Sequence, residues 1–296
     1  MNDVHDNSNR NTRRVQFALI LTASFMVVEV IGGILSGSLA LLADAGHMLT
    51  DSMALALAAL AFRVSAKPAD SRRSYGYQRF QILAAFVNGL SLLLIVAWIL
   101  IEAVRRLMSP PEVQADTMLL VAVAGLLVNL LSFVVLHGGD RENLNISGAV
   151  LHVLGDLLGS VATIVAAIVI IATGWMPIDP LLSVVVALLI LRSAWSLVQR
   201  SAHILLEGAP EWLDIAQMKS KITGRVPAVR DIHHVHVWGL TPQHLMLTMH
   251  VTLAESQAKA TPIVRQVKSV LREEFGISHS TIEVESDDCS DESSHP

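Results

Sequence analysis

Cysteine is nearly absent. The 296-residue chain has one, Cys289, which excludes an internal disulfide and any metal site built from several thiolates. Charge is scarce too: 16% of residues are Asp, Glu, Lys or Arg, where about 25% is usual for a soluble domain. Aromatic residues make up 5%, so the 52% hydrophobic content is carried mainly by Leu, Ala, Val and Ile. This composition argues against a disordered chain and against an ordinary soluble enzyme. No basic excess exists either; the formal net charge of -5 argues against a nucleic-acid partner. The few charges are unevenly placed. Residues 1–200 carry 13 Lys/Arg and 13 Asp/Glu, whereas residues 201–296 carry 8 and 13. The chain therefore reads as an apolar, neutral first part and a polar, acidic second part.

The apolar residues are gathered into long runs. Crossing the hydrocarbon of a bilayer takes about 20 mostly apolar residues in a helix. Six stretches qualify, roughly 15–36, 39–62, 80–104, 117–137, 147–173 and 178–200. The first is not a signal peptide, since no small-residue cleavage site follows and five more spans do. Backbone amides in lipid must be bonded within the segment, so these are helices. Basic residues set the orientation. Arg10, Arg13, Arg14, Arg63, Lys67, Arg72, Arg73, Arg79 and Arg141 lie on one side, and Arg105 and Arg106 on the other. The richer side is the cytoplasm, which holds both termini.

After Arg200 the pattern changes to that of a small α+β domain. Glu211–Thr223 and Thr261–Phe275 read as amphipathic helices. Val229–Leu240 and Leu245–Leu253 alternate like strands around a Thr241-Pro242-Gln243 turn, and Ser280–Val284 is a third strand. Met1–Thr12 and Ser286–Pro296 read as disordered. The expected organisation is a cytoplasmic tail (1–14), a six-helix transmembrane bundle (15–203), a cytoplasmic α+β domain (204–286) and a disordered acidic tail (287–296).

An ionisable residue inside hydrocarbon is costly and marks a functional site by default. The second span contains Asp44, His47 and Asp51, the fifth contains His152 and Asp156, and the first contains Glu29. His47 and Asp51 are four apart, and so are His152 and Asp156, so each pair shares one helix face about 6 Å apart along the axis. Two such faces brought together present two imidazoles and two carboxylates to one point, a tetrahedral nitrogen and oxygen set that suits Zn²⁺. An all-oxygen Mg²⁺ or Ca²⁺ site would not use two histidines. Asp44 lies on the same stripe nearer the outer end, as a vestibule group or helix cap. Asn88 and Asn129 read as interhelical hydrogen-bonding residues. In the soluble part, His234 and His236 should share a strand face while His233 points the opposite way. His236, beside Trp238, reads as structural, and His279 is an unassigned ligand candidate.

The motifs Ala43-Asp44-Ala45-Gly46-His47-Met48-Leu49-Thr50-Asp51, Tyr75-Gly76-Tyr77-Gln78-Arg79, Leu151-His152-Val153-Leu154-Gly155-Asp156 and His233-His234-Val235-His236-Val237-Trp238 resemble those of the cation diffusion facilitator family. The resemblance covers about residues 14–286 and is closest to the zinc-exporting bacterial branch. It implies a proton-coupled antiporter in the bacterial inner membrane, working as a homodimer with a metallochaperone-like cytoplasmic domain. Zn²⁺ is then the exported substrate, with Cd²⁺ and other divalent transition metals as further candidates, and no cofactor is needed. The family's transport ligands map onto His47, Asp51, His152 and Asp156. Its regulatory zinc ligands map onto His233, His250, Glu283 and Glu285, while Thr261 stands where some relatives have a further histidine. Some relatives also bind zinc in the loop after span two with an Asp and histidines; here that loop has Asp70 and no histidine. The long histidine-rich loop between spans four and five that many eukaryotic relatives carry is absent. The rival readings are an intramembrane metalloenzyme, which lacks a His-Glu-x-x-His motif, a passive channel, and a membrane-anchored metal sensor, which leaves the buried quartet without a purpose.

Overall fold

The computed structural model describes residues 2–137, 144–255 and 259–285. Side chains are described in these ranges except for residues 2–15, 19, 51, 54, 55, 58, 59, 62, 136, 137 and 144–152. The acidic tail expected at 287–296 lies outside the described residues. Six helices come first: α1 (Asn2–Ser36), α2 (Leu39–Ser65), α3 (Phe80–Met108), α4 (Ala115–His137), α5 (Leu144–Thr173) and α6 (Ile178–Leu205). Their ends sit where the sequence breaks a helix. Gly37 and Gly174 adopt left-handed φ values of 70° and 68°, which glycine tolerates without a Cβ clash. Pro110 and Pro111 separate α3 from α4. Residues 2–12, expected to be disordered, continue α1: between Asn2 and Val30 there is no proline or glycine to stop it.

Five of the six helices are long and apolar enough to cross a membrane; α2 has a described apolar stretch of Leu39–Thr50 within its 27 residues. Exposed Leu94, Leu120, Leu158 and Leu189 show the outward apolar surface that lipid solvates. The chain divides into two units, residues 1–59 with 87–198 and residues 60–86 with 199–296.

In the first unit, α4 packs against α1 and α5, and Phe25, Met118, Val121, Ala122, Ala166, Ala167 and Ile170 form a buried cluster with Ala40 and Leu41 of α2. A second cluster joins α2, α3 and α6 through Leu39, Ala43, Val96, Ile99, Ala103, Ala187 and Ala194. Small alanines let helices approach closely where lipid supplies no hydrophobic drive. One end of the bundle is tied by polar contacts. Asp179, fully buried at the start of α6, accepts from Ser38 Oγ (2.5 Å), Leu39 N (2.7 Å) and Ala40 N (3.2 Å) at the start of α2. Arg106, near the end of α3, donates to Gly37 O and pairs with Glu102 at 3.1 Å. Gln114 N, just before α4, donates to Ser36 O at 2.8 Å. The ends of α1 and α3 and the starts of α2, α4 and α6 therefore meet at one end. α5 reaches the same end, because only residues 174–177 separate it from α6. Neighbouring helices alternate in direction, and α2 runs antiparallel to α5.

The second unit holds α7 (Ile215–Arg225), β1 (Val229–Thr241), β2 (His244–Leu253), α8 (Ala260–Phe275) and β3 (His279–Glu285). The sheet order is β1-β2-β3, with β1 and β2 antiparallel and β2 and β3 parallel through the α8 crossover. α7 begins later than the expected Glu211 because Asp214 caps it, accepting from Ala216 N and Gln217 N. The core is Met218 and Ile222 from α7, Leu247, Met249 and Val251 from β2, and Val267 and Leu271 from α8.

Candidate metal centres

On α2, Asp44 faces α5. Asp44 is buried, and its Oδ1 lies 3.6 Å from where a Cβ on Gly159 would be. It sits five residues inside the helix, so it is not the cap; Ser38 and Asp179 serve that role. Asp156, one turn from Gly159 on α5, is 4% exposed. His47, one turn from Asp44 on α2, is half-buried. Among the described residues, a Cβ on Gly155 would meet nothing within 4 Å. Of the expected quartet, the structure describes the side chains of His47 and Asp156; those of Asp51 and His152 lie outside the described part. Asp44 and Asp156 interact electrostatically with each other and with Glu29 on α1. Asn129 fulfils the interhelical expectation, donating to Ser160 Oγ at 3.3 Å. Asn88 is buried, and its Oδ1 has no hydrogen-bond partner.

In the C-terminal domain, ligand atoms of His233, His250 and Glu285 all lie within 4.8 Å of one another. His233 and His250 are directly opposite on β1 and β2, and His250 is opposite Glu283 on β3. The Glu285 carboxylate lies 2.9 Å from His233 Nε2 and 3.0 Å from His250 Nδ1. Glu283 is at the rim, more than half exposed, at 3.6 Å from His250 Nε2. Asp231 lies 3.2 Å from His233 Nδ1 and can orient that ring from behind. Two imidazoles and a carboxylate at this spacing are a donor set that fits Zn²⁺.

The strand-face expectation for the histidines is corrected here. The pairing of β1 slips between His233 and His236, and His234 has a left-handed φ of 47°, a region in which histidine is enriched among non-glycine residues. The bulge turns His234 toward the site, where its ring lies 5.4 Å from His233 and 4.9 Å from His250. His236 is exposed. His279 meets Tyr75 edge-on at 6.5 Å instead of joining the group.

The loop after α2 spends its acid on itself. Asp70 accepts from the Tyr77 hydroxyl and from Arg72 N and Arg73 N, each at 2.8 Å. The Tyr77 hydrogen bond first, and then those backbone donors, hold its carboxyl below the ordinary value of 3.8. Sequence reasoning did not single out Asp179 or Glu102, and it used Arg106 only to set the orientation. An acid at the first turn of an apolar helix was the available signal for Asp179.

Two family descriptions match the chain. "Cation efflux transmembrane domain" covers residues 15–206 and "Cation efflux protein, cytoplasmic domain" covers residues 210–287. The chain is 49% identical over 286 residues to the zinc transporter ZitB of Escherichia coli, spanning 96% of this chain and 91% of that protein. It is 41% identical to the metal cation efflux system protein CzcD of Cupriavidus metallidurans, over 96% and 90%. It is 42% identical to a cadmium, cobalt and zinc/H(+)-K(+) antiporter of Bacillus subtilis, over 95% and 91%. The solved metal-bound C-terminal domain of the CzcD transporter is 30% identical over 25% of this chain and 99% of that one, with a TM-score of 0.23.

Proposed function

The chain belongs to the cation efflux family, a family of multi-pass membrane transporters, and from that premise we propose that it exports Zn²⁺ in exchange for protons through a site made of His47, Asp51, His152 and Asp156. The register of α2 against α5 carries this reading. The helices are antiparallel, and Asp44 lies against Gly159. Moving three residues along each from that contact brings His47 level with Asp156. Moving four more brings Asp51 level with His152. All four positions then face one another across about one turn of helix, some 6 Å.

A divalent ion in hydrocarbon must exchange its water for ligands, because an unsolvated charge there costs tens of kcal/mol. The quartet supplies them. Binding requires both imidazoles neutral and both carboxylates ionised, so protons and zinc compete for the same atoms. Loading from the cytoplasm and release by protons on the far side, with the site open to one side at a time, drives zinc out as protons come in. The arginine and lysine distribution supports cytoplasmic termini. In the cytoplasmic domain, His233, His250 and Glu285 would hold a regulatory zinc, tying three strands together. The homodimer expected from the family resemblance would bring two such domains into one molecule.

The test is zinc uptake by proteoliposomes, metal by metal, with and without an imposed pH difference. Asp51→Ala and Asp156→Ala should each reduce proton-driven uptake by about a hundredfold or more, the scale expected when a ligand of a buried dication is removed. Wild-type flux in either variant would remove the quartet from the mechanism.

A further inference from the structure

Glu29 has no part in the four-ligand site, yet the bundle is shaped around it. It is 1% exposed, and its Oε2 has no hydrogen-bond partner among the described residues. α4 leaves a hole for it: a Cβ on Gly125 would come 3.0 Å from Glu29 Oε1 and 2.9 Å from Phe25. A buried carboxylate oxygen without a donor is costly to keep ionised, and a proton would relieve that cost.

The surroundings are two polar stripes. Gly125, Asn129 and Ser132 fall at i, i+4 and i+7 on α4, and Asp156, Ser160 and Thr163 do the same on α5, so each triplet shares a face. Asn129 Nδ2 bonds Ser160 Oγ at 3.3 Å, while Asn129 Oδ1 and Ser132 Oγ are buried without hydrogen-bond partners among the described residues. That bond levels the two antiparallel helices. Gly125 then lies about one turn, some 6 Å, toward the end bearing Gly37, and Asp156 about as far the other way. Asp44, against Gly159, falls between. The titratable groups facing Glu29 are Asp44 from α2 and Asp156 from α5. The α4 face presents no charge among the described residues. At about two turns from Asp156, Glu29 is too far along the axis to be a ligand of the quartet.

We propose that Glu29 is the proton-binding carboxylate of the transporter, taking a proton from the end that bears Gly37 and passing it along Asp44 and the Asn129–Ser160 seam toward Asp156. This rests on the proton-coupled reading above. A proton neutralises the buried acid and converts it into an O–H donor. A potassium ion would need several oxygens gathered round one point to replace its water, and here the oxygens are strung out along the helix axis.

The full-length protein in proteoliposomes tests this with three measurements: labelled zinc–zinc exchange at equal pH, zinc flux driven by a pH difference, and internal pH reported by a trapped dye. Glu29→Gln should leave zinc–zinc exchange within about twofold of wild type while lowering gradient-driven flux and proton movement about tenfold or more, the scale on which positioned proton carriers act. Glu29→Asp, which keeps the carboxyl, should restore coupling with a displaced pH midpoint. Wild-type coupling in Glu29→Gln would overturn the proposal. So would an equal loss of exchange and coupling in that variant with no rescue by Glu29→Asp, or zinc flux driven by a potassium gradient alone. If wild-type protein itself ignored the pH difference, the proton-coupled reading would fall first.

Discussion

Single residues in this protein are set by what their neighbours leave open. Two glycines show it. Gly125 is occupied space: an added methyl would meet Phe25 and Glu29 within 3.0 Å. Gly155, on α5 beside Asp156, faces nothing within 4 Å among the described residues. Gly125→Ala should therefore destabilise the bundle by about 1–3 kcal/mol through overpacking. Gly155→Ala should be neutral or stabilising by up to about 1 kcal/mol through helix propensity. Thermal unfolding of the two detergent-solubilised variants checks the contrast; equal shifts would contradict it. The buried ionisable residues were legible in the sequence because charge in hydrocarbon costs so much that chains keep it only where it acts. The orientation of His234 was not. A two-residue period assigns faces only in a regular strand, and neither the bulge nor the left-handed backbone at His234 leaves a trace in residue type beyond histidine's tolerance of that region.

Among elements, charge appears where helices must be held in place. Glu274 on α8 joins two basic residues of α7, Lys221 at 3.1 Å and Arg225 at 2.7 Å. The Lys221 hydrogen bond first, then the Arg225 and Lys221 charges, hold the Glu274 carboxyl below its ordinary value of 4.5. A carboxyl with a lowered folded-state value contributes stability above its unfolded value and loses it as the pH falls through the folded one. Glu274→Gln should thus cost stability at pH 7, and the gap to wild type should close as the pH falls from 4.5 downward. Denaturant unfolding of both proteins across that range measures it, and a gap that stayed constant to low pH would assign the loss to packing. The helices themselves were readable from length and apolarity, and five of the six meet the spanning criteria on described residues. Their tethering was not readable. Asp179 itself is visible as an acid in the first turn of an apolar helix, but its partners include the backbone N–H groups of Leu39 and Ala40, and those leave no residue pattern to find.

For the molecule as a whole, the proposed transport reading keeps two chemistries of zinc apart: a quartet in the bundle that must let the ion go, and a group in the C-terminal domain that would tie strands together. The second can be counted directly. Calorimetric titration of the full-length protein with Zn²⁺ should lose sites when His233 and His250 are both replaced by alanine, because Glu285 alone cannot hold the ion against solvent. An unchanged stoichiometry would mean that this group binds no zinc.

The His233, His250 and Glu285 group takes its members from the first, second and last strands of its sheet, with Glu285 at the far end of β3. During synthesis that residue leaves the ribosome long after the last bundle helix. A nascent chain therefore completes all six bundle helices before it can assemble the His233, His250 and Glu285 group, and a translation product cut short of β3 lacks one of its three members.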